Sequence, residues 1–371
     1  MNQRATCIVT PSEDFYSETF IRAHVERLPR PVRVLQRRWV PFYVRDARHL
    51  PSTIRKVAAG LCRLFRASPQ AIHFQVALRF LQVHRVRVVL AEYGPIGASM
   101  LEVCERAGVP LIVHFHGYDA YVQAVLEEHH EVYQRMFAAA RGIIAVSRDM
   151  EARLRSLGAP RDRLYYNPYG IDPYLFTSAN PASNPPVFVT VGRFVEKKGP
   201  HKTLYAFRKV LDACPDARLV MIGGGKLWGA CQHLAQALNV ADHVTFAGPR
   251  SHPEVAATMR SARAFVQHSL RASNGDSEGT PVAVLEAGMT GLPVVATRHA
   301  GIKDVVRHEA TGFLVDEGDI DGMAEAMIRL ARDAALAADL GRQAREHVQH
   351  HFSMDRSIAT LARILEEAAR P

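Results

Sequence analysis

The chain has 371 residues, of which 48% are apolar and 22% charged, and its formal net charge is +9. That length exceeds one ordinary core and points to two domains, while the composition excludes a disordered chain. No run of about 18 uncharged apolar residues occurs, which excludes a membrane-spanning helix.

Met1–Thr10 lacks the long apolar stretch of a secretory signal, so a cytoplasmic protein is expected. Five cysteines, Cys7, Cys62, Cys104, Cys214 and Cys231, are scattered and form no CxxC pair. They read as core thiols of a reducing compartment, not as disulfides or a zinc site.

In chain order, the first strand pattern is Thr6–Thr10, followed by Ser17-Glu18-Thr19-Phe20-Ile21, which makes a helix start. Val32–Leu35 is the next strand pattern. Residues 1–175 hold 24 Lys/Arg against 16 Asp/Glu, and the remainder holds 22 against 21, so the excess sits in the first half. Arg27–Arg66 alone carries 11 basic residues and one acid, Asp46, with Trp39, Phe42, Tyr43 and Phe65 interleaved. Within it, Thr53–Ala67 has helical spacing: Ile54, Val57, Ala58, Leu61 and Phe65 recur beside Arg55, Lys56, Arg63 and Arg66. Three readings stay open: a solvated basic face, contact with anionic lipid or a phosphate-bearing acceptor, and nucleic acid. The last lacks any accompanying recognition motif.

Val86–Ala91, Leu111–Phe115 and Ile143–Val146 are further strand patterns, separated by helical patterns at Gly97–Ala107 and Ala120–Ala140. Leu111–Phe115 runs into His116-Gly117-Tyr118-Asp119. His116 emerges at the carboxyl end of a strand, where a histidine and an aspartate can orient a sugar or handle a proton. The alternative is structural: His116 ends the strand and Asp119 caps the next helix. His114 lies on the same side of the strand and competes for any role given to His116. Asn167-Pro-Tyr-Gly170-Ile-Asp172 reads as an ordered turn.

Residues 178–186, polar and proline-rich, read as a linker between a first domain (1–177) and a second (187–353). The second half repeats the alternation, with strands at Val187–Val191, Leu219–Ile222, Val244–Phe246, Ala264–Val266, Pro293–Ala296 and Gly312–Val315. Helical patterns lie at Thr203–Leu211 and Asp319–Ala331. A last helix, Met354–Ala369, follows and is expected to complete the first domain (354–371). Non-alternating buried strands joined by helices predict two doubly wound parallel sheets, with ligands held in the cleft between them.

Three second-half segments suit an anionic, hydroxyl-rich ligand. Gly192-Arg193-Phe-Val-Glu-Lys-Lys198-Gly follows a strand, so that a guanidinium and an ammonium reach a diphosphate; a simple turn bearing surface cations is the alternative. Met221-Ile-Gly-Gly224-Gly-Lys226 is a glycine-rich strand end that fits neither the P-loop nor the dinucleotide pattern. In Asn274-Gly-Asp-Ser-Glu278-Gly279-Thr280-Pro281 and the helix after it, Asp276 and Ser277 offer helix-start chemistry and free N–H groups form an anion site. Glu278 and Glu286, eight residues and about 12 Å apart along the helix axis, suit hydroxyl groups at separate parts of one long ligand; for Glu286 the alternative is a solvated helix carboxylate, against which its neighbours Ala283, Val284, Leu285 and Ala287 argue.

Together these segments resemble the retaining GT-B glycosyltransferase family 4 over essentially the whole length. The resemblance rests on Ser17-Glu18-Thr19-Phe20, His116-Gly-Tyr-Asp119, Asn167–Asp172, Gly192-Arg193…Lys198-Gly199, Glu278-x7-Glu286 and Gly291-Leu-Pro-Val-Val-Ala-Thr…Gly301-Ile. The Ser-Glu-Thr-Phe and His-Gly-Tyr-Asp segments are most similar to enzymes that build colanic acid or amylovoran-type exopolysaccharides. The resemblance implies an α/β fold of the GT-B kind: two Rossmann-like domains facing a central cleft. It implies retaining transfer of a sugar from a UDP- or GDP-linked donor to a glycan or polyprenyl-diphosphate-linked acceptor, without metal or other cofactor; the basic stretch Arg27–Arg66 suggests that the acceptor is lipid-linked and met at the cytoplasmic membrane face. It assigns Arg193 and Lys198 to the donor diphosphate, Glu278 to sugar hydroxyls, and Glu286 to the ribose. Gly192, Gly224, Gly279, Thr280 and Pro281 would line the donor, and His116 would contact its sugar. Ser17, Glu18 and Asp119 would belong to an acceptor or phosphate loop. One departure stands out: Thr10–Phe20 contains no glycine, where many relatives carry a Gly-Gly pair. Two other readings are a non-transferase enzyme of the same fold, such as a nucleotide-sugar epimerase, and a non-catalytic nucleic-acid-binding protein.

Overall fold

The computed structural model describes residues 4–11, 19–36, 43–44 and 69–370. In the first half the order is β1 (Ala5–Thr10), α1 (Thr19–Arg27), β2 (Val32–Gln36), β3 (Tyr43–Val44), α2 (Pro69–Val83) and β4 (Val86–Glu92). Then follow α3 (Gly94–Ala107), β5 (Leu111–Phe115), α4 (Tyr118–Tyr121), α5 (Gln123–Ala139), β6 (Gly142–Ala145), α6 (Arg148–Ser156) and β7 (Leu164–Tyr166). These strands form one sheet in the order β3-β2-β1-β4-β5-β6-β7. All neighbours are parallel except β3, which runs antiparallel to β2.

The second half contains β8 (Val187–Val191), α7 (Pro200–Ala213), β9 (Arg218–Ile222), α8 (Trp228–Ala237), β10 (Val244–Gly248) and α9 (His252–Arg260). It continues with β11 (Ala264–Gln267), α10 (Val282–Thr290), β12 (Val294–Thr297), α11 (Ile302–Val305), β13 (Gly312–Val315), α12 (Ile320–Arg332) and α13 (Ala334–His351). Its sheet has the order β10-β9-β8-β11-β12-β13, entirely parallel. Both sheets reverse their winding beside their first strand, at β1/β4 and β8/β11. In such sheets the crevice at the carboxyl ends of those two strands is where ligands bind.

Apolar runs form the strands because both faces are covered: every residue of β1 and β5 is buried. The last helix, α14 (Met354–Ala368), returns to the first sheet. Its Ile358, Leu361, Ile364 and Leu365 pack with Ile8, Val88, Leu90, Ile112 and Ile144. Ser357 Oγ donates to the Pro168 carbonyl at 2.8 Å, and Arg87 pairs with Glu366 at 2.6 Å.

The expected strands are present, with ends shifted by a residue or two, and two short ones are additional. β3 and β7 span only two and three residues and carry too little pattern to read. The helix expected over Ala120–Ala140 is broken at Val122, which is extended (φ −68°, ψ 119°). The break frees the Gln123 N–H to donate to the Asn274 carbonyl of the second half at 3.2 Å. Residues 178–186 are pinned to the second half. Ala179 N donates to Thr290 O, and the Asn184 amide donates to the carbonyls of Arg260 and Ala262. The amphipathic pattern Thr53–Ala67, and Arg37, Arg38, Trp39, Phe42 and Cys62 with it, lie outside the described residues. Cys7, Cys104 and Cys231 are buried free thiols, and Cys214 is half-buried. Among the described residues no helix is long and apolar enough to cross a membrane.

Candidate active site

A cleft of about 880 Å³ opens between the carboxyl edges of the two sheets. Its first-half wall is Thr19, Phe20, Tyr93, His116, Gly117, Tyr118 and Tyr169. The second-half wall brings together Gly192, Arg193, Lys197, Lys198, Gly224, Glu278, Gly279, Thr280, Pro281 and Glu286.

The second-half wall is built on the β8/β11 switch point. Gly192 leaves β8, and its N–H donates to Ile222 O at 2.9 Å. Gly223, at φ 131°, passes so close that a Cβ there would stand 1.9 Å from the Gly192 carbonyl oxygen. Only glycine permits that approach, which seats the Gly223–Gly225 turn against the Gly192–Phe194 turn. Phe194 N then donates to Gly224 O at 2.9 Å. Arg193 is exposed, and its guanidinium makes no hydrogen bond or ion pair among the described residues. Its guanidinium is therefore available to an anion in the cleft.

Lys198 Nζ meets Glu278 Oε1 at 2.8 Å, and Ser269 Oγ donates to the same oxygen at 3.0 Å. Glu278 is 5% exposed. Burial pushes its carboxyl up, but Lys198 and then Lys197 more than offset this and hold it at about 2. Glu286, on α10, is equally buried, but its carboxyl makes no hydrogen bond or ion pair among the described residues. Burial raises its carboxyl to about 7 despite the pull of Lys198.

Two expectations about this segment are corrected. Asp276 and Ser277 do not begin the helix: α10 starts at Val282, with Pro281 at the capping position. Asp276 Oδ1 instead accepts from Lys197 Nζ at 3.0 Å, and Ser277 Oγ lies 2.9 Å from His299 Nε2. His299 Nδ1 in turn contacts Glu317 Oε1 at 2.5 Å. Because Glu278 precedes the helix, its separation from Glu286 is not the 12 Å axial rise of eight helical residues. The loop is fixed by tertiary contacts: a Cβ on Gly279 would lie 2.4 Å from the His116 carbonyl oxygen, and Thr280 Oγ1 donates to the Val146 carbonyl.

The first-half wall centres on His116. Its Nε2 lies 2.8 Å from Glu92 Oε2 and its Nδ1 2.7 Å from the Tyr169 hydroxyl. Burial pushes the imidazole down to about 3, so the ring is neutral, donating from Nε2 to the carboxylate and accepting at Nδ1 from the tyrosine. The Phe20 ring packs 4.5 Å from His116 and 4.4 Å from Tyr169, and Tyr93 packs 4.6 Å from His116 on edge. Tyr93 has φ 79°, a costly backbone for a bulky residue and one that recurs at binding sites.

Glu92 also accepts from His24, with Nδ1 2.7 Å from Oε1. Burial would raise its carboxyl, but the imidazoles around it, His24 foremost, hold it well below the ordinary range. His114 is buried beside this group and does not line the cleft, which leaves His116, and not His114, as the histidine of β5 and its turn that faces the cleft.

Asp119 is corrected as a loop residue of the site. It is fully buried, does not line the cleft, and does not cap α4, where Gly117 holds the capping position. Its carboxylate accepts backbone N–H bonds from His116 at 3.0 Å, Gly117 at 2.8 Å and Gly94 at 2.9 Å. It fixes the turn that presents His116. Ser17 and Glu18 lie outside the described residues.

Sequence reasoning missed Glu92, Lys197 and Tyr169. The one available signal for Glu92 is an acid ending an otherwise apolar strand, and for Tyr169 a ring inside an ordered turn. Lys197 was overshadowed by its neighbour.

Comparison with known proteins agrees with this architecture. Residues 8–175 match the family model described as Glycosyltransferase Family 4, and residues 175–347 match that of Glycosyl transferases group 1. The amylovoran biosynthesis glycosyltransferase AmsK of Erwinia amylovora is 32% identical over 287 residues, 76% of this chain and 70% of that one. WcaL of Escherichia coli strain K12, named for colanic acid biosynthesis, is 30% identical over 304 residues, 80% of this chain and 74% of that one. Among solved structures, Anabaena Alr3699/HepE with UDP and glucose superposes with a TM-score of 0.76 at 18% identity, covering 98% of this chain and all of the other. A glycosyltransferase from Rickettsia africae superposes with a TM-score of 0.77 at 15% identity over the whole of both chains. By its matched halves, its relatives and its paired doubly wound sheets, the chain belongs to the family 4, group 1 glycosyltransferases of GT-B fold.

Proposed function

We propose that this glycosyltransferase moves a sugar from a UDP- or GDP-linked donor to a glycan or polyprenyl-diphosphate-linked acceptor, with retention of anomeric configuration. The observation that carries the reading is a pair of unsatisfied groups at the second-sheet switch point. Among the described residues, Arg193 is a guanidinium without a partner and Glu286 a buried carboxyl without a partner, and they flank the Lys198–Glu278 pair. Such a site complements a diphosphate with hydroxyl groups at both ends. The structure of Anabaena Alr3699/HepE in complex with UDP and glucose supports a nucleotide donor.

In this reading the donor lies on the second half and the acceptor enters from the first. The bond between the anomeric carbon and the diphosphate oxygen breaks, and Arg193 and Lys198 stabilise the charge left on the phosphate. The acceptor hydroxyl adds to the same face and its proton passes to the departing phosphate oxygen. Glu278 is tied to Lys198 and Ser269, so its role is to hold sugar hydroxyls and not to act as a nucleophile. No metal is assigned to the diphosphate. Colanic acid and amylovoran in the names of the relatives favour a product among cell-surface exopolysaccharides. The basic stretch Arg27–Arg66 favours a cytoplasmic enzyme that meets an acceptor at an anionic membrane face.

A thermal-shift screen of UDP, GDP, ADP and their sugars tests the donor assignment, since a ligand of the folded state raises its melting temperature. One nucleoside diphosphate is expected to shift the protein equally in Mg2+ and in EDTA. A folded sample that responds to none of them would remove the UDP- or GDP-linked donor. A shift that needs Mg2+ would remove the metal-free diphosphate.

A further inference from the structure

We propose that His24, Glu92 and His114 form a binding site for a divalent first-row transition ion of zinc-like ligand preference, buried beneath His116 at the switch point of the first sheet.

The three residues come from α1, the end of β4 and the middle of β5. One ligand atom of each lies within 4.8 Å of the others, and all three side chains are buried. This alone would describe any hydrogen-bonded cluster. The distinguishing feature is His114, which is 1% exposed and whose two ring nitrogens make no hydrogen bond among the described residues. A buried polar atom without a partner keeps its full desolvation cost, and such a group in a folded protein calls for an explanation such as an ion or a water. His114 Nδ1 lies 3.5 Å from Glu92 Oε2. Two ligands about 2.0–2.1 Å from one tetrahedral ion stand roughly 3.3 Å apart. Seating the ion requires the His24 Nδ1–Glu92 Oε1 pair, now 2.7 Å apart, to open by roughly half an ångström.

The ligand chemistry selects the ion. Two imidazoles and one carboxylate suit zinc, cobalt, nickel or iron and disfavour magnesium and calcium, which take oxygen ligands. The outer contacts suit a metal centre as well: Glu92 Oε2 accepts from His116 Nε2 at 2.8 Å. A hydrogen-bonded ligating carboxylate is a recurrent feature of such sites. The ion would fix Glu92, which fixes the ring of His116 at the cleft wall. It belongs to the first half and is separate from the diphosphate-binding groups of the second.

The test reads metal, independently of turnover. The full chain is expressed in zinc- or cobalt-supplemented medium, freed of any affinity tag and purified without chelator. One ion per chain is expected by elemental analysis, and the cobalt form is expected to show visible bands of low-coordinate nitrogen/oxygen ligation. His24→Gln and His114→Gln should each lose the ion. A variant with His347, His350 and His351 all changed to Gln, which removes the histidine cluster at the end of α13, should keep it. If the cluster variants fail to fold, X-ray absorption on the wild-type zinc protein decides, with two imidazoles and no sulfur expected. Folded wild-type protein without bound ion, retention of the ion in either cluster variant, or sulfur ligation would overturn the proposal.

Discussion

Glu286 offers a measurement that uses no substrate. Its carboxyl is buried, without a partner among the described residues, and raised from the ordinary 4.5 to about 7. The folded protein therefore holds a proton there that the unfolded chain releases. Stability from this group is fully present below pH 4.5, falls as pH rises, and is lost by about pH 7. The interval, at about 1.4 kcal/mol per pH unit, amounts to about 3 kcal/mol. Glu286→Gln removes the titration while keeping the shape. Denaturant unfolding of both proteins from pH 5 to 8.5 would read the difference. Trp228 packs 4.8 Å from Phe194 and 5.5 Å from Phe246 and reports on the second half, with Trp39 replaced by Phe. Relative to the variant, the wild type should lose stability at about 1.4 kcal/mol per pH unit up to pH 7 and then run parallel to it. Profiles that run parallel throughout would refute the claim that Glu286 is held protonated by burial. With donor bound, ribose hydroxyls would favour the charged form, so binding near pH 7 should release a proton measurable by calorimetry in two buffers.

Lys198→Ala should lower kcat by about 10²–10³-fold, the usual loss for a charge-stabilising donor. It should also raise the Glu278 carboxyl out of its range near 2, seen as lost stability that is partly regained at acid pH. Near-normal turnover in this variant with a confirmed donor would sink the site assignment. Gly279→Ala places a Cβ 2.4 Å from the His116 carbonyl oxygen, whereas at Gly224 the nearest atom is 3.6 Å away on the Pro249 ring. The first substitution should destabilise by about 1–3 kcal/mol and the second should be tolerated; equal melting temperatures would contradict the packing. Finally, the protein should sediment with anionic vesicles at low salt, and neutralising Arg37, Arg38, Arg55 and Lys56 should release it. Absence of sedimentation would remove the membrane face and leave the transfer reading intact.

The alternation of apolar strands and helices made the two sheets legible because parallel strands, buried on both faces, show as unbroken apolar runs. The cationic turn after β8 and the Glu278–Glu286 segment were legible because strand ends next to glycine are where this architecture gathers ligands. What stayed hidden depends on contacts between distant residues. His24 and Glu92 are 68 positions apart and meet only because α1 packs across the end of β4. Asp276 looks like a helix start in the sequence, but a lysine 79 positions away claims its carboxylate. The break at Val122 likewise goes with a contact to a carbonyl in the other half, and no local pattern announces it.

The return of α14 to the first sheet has a consequence for protein engineering. A chimera that joins the first half of one family member to the second half of another at the 178–186 segment would inherit a foreign last helix. Ile358, Leu361, Ile364 and Leu365 would then have to fit a surface of Ile8, Val88, Leu90 and Ile112 with which they had not been matched. The exchangeable unit is discontinuous: the first half travels together with residues from Ser353 onward, where Ile171 and Ser353 already bridge. Swapping acceptor halves between relatives therefore takes two junctions, one on each side of the second sheet.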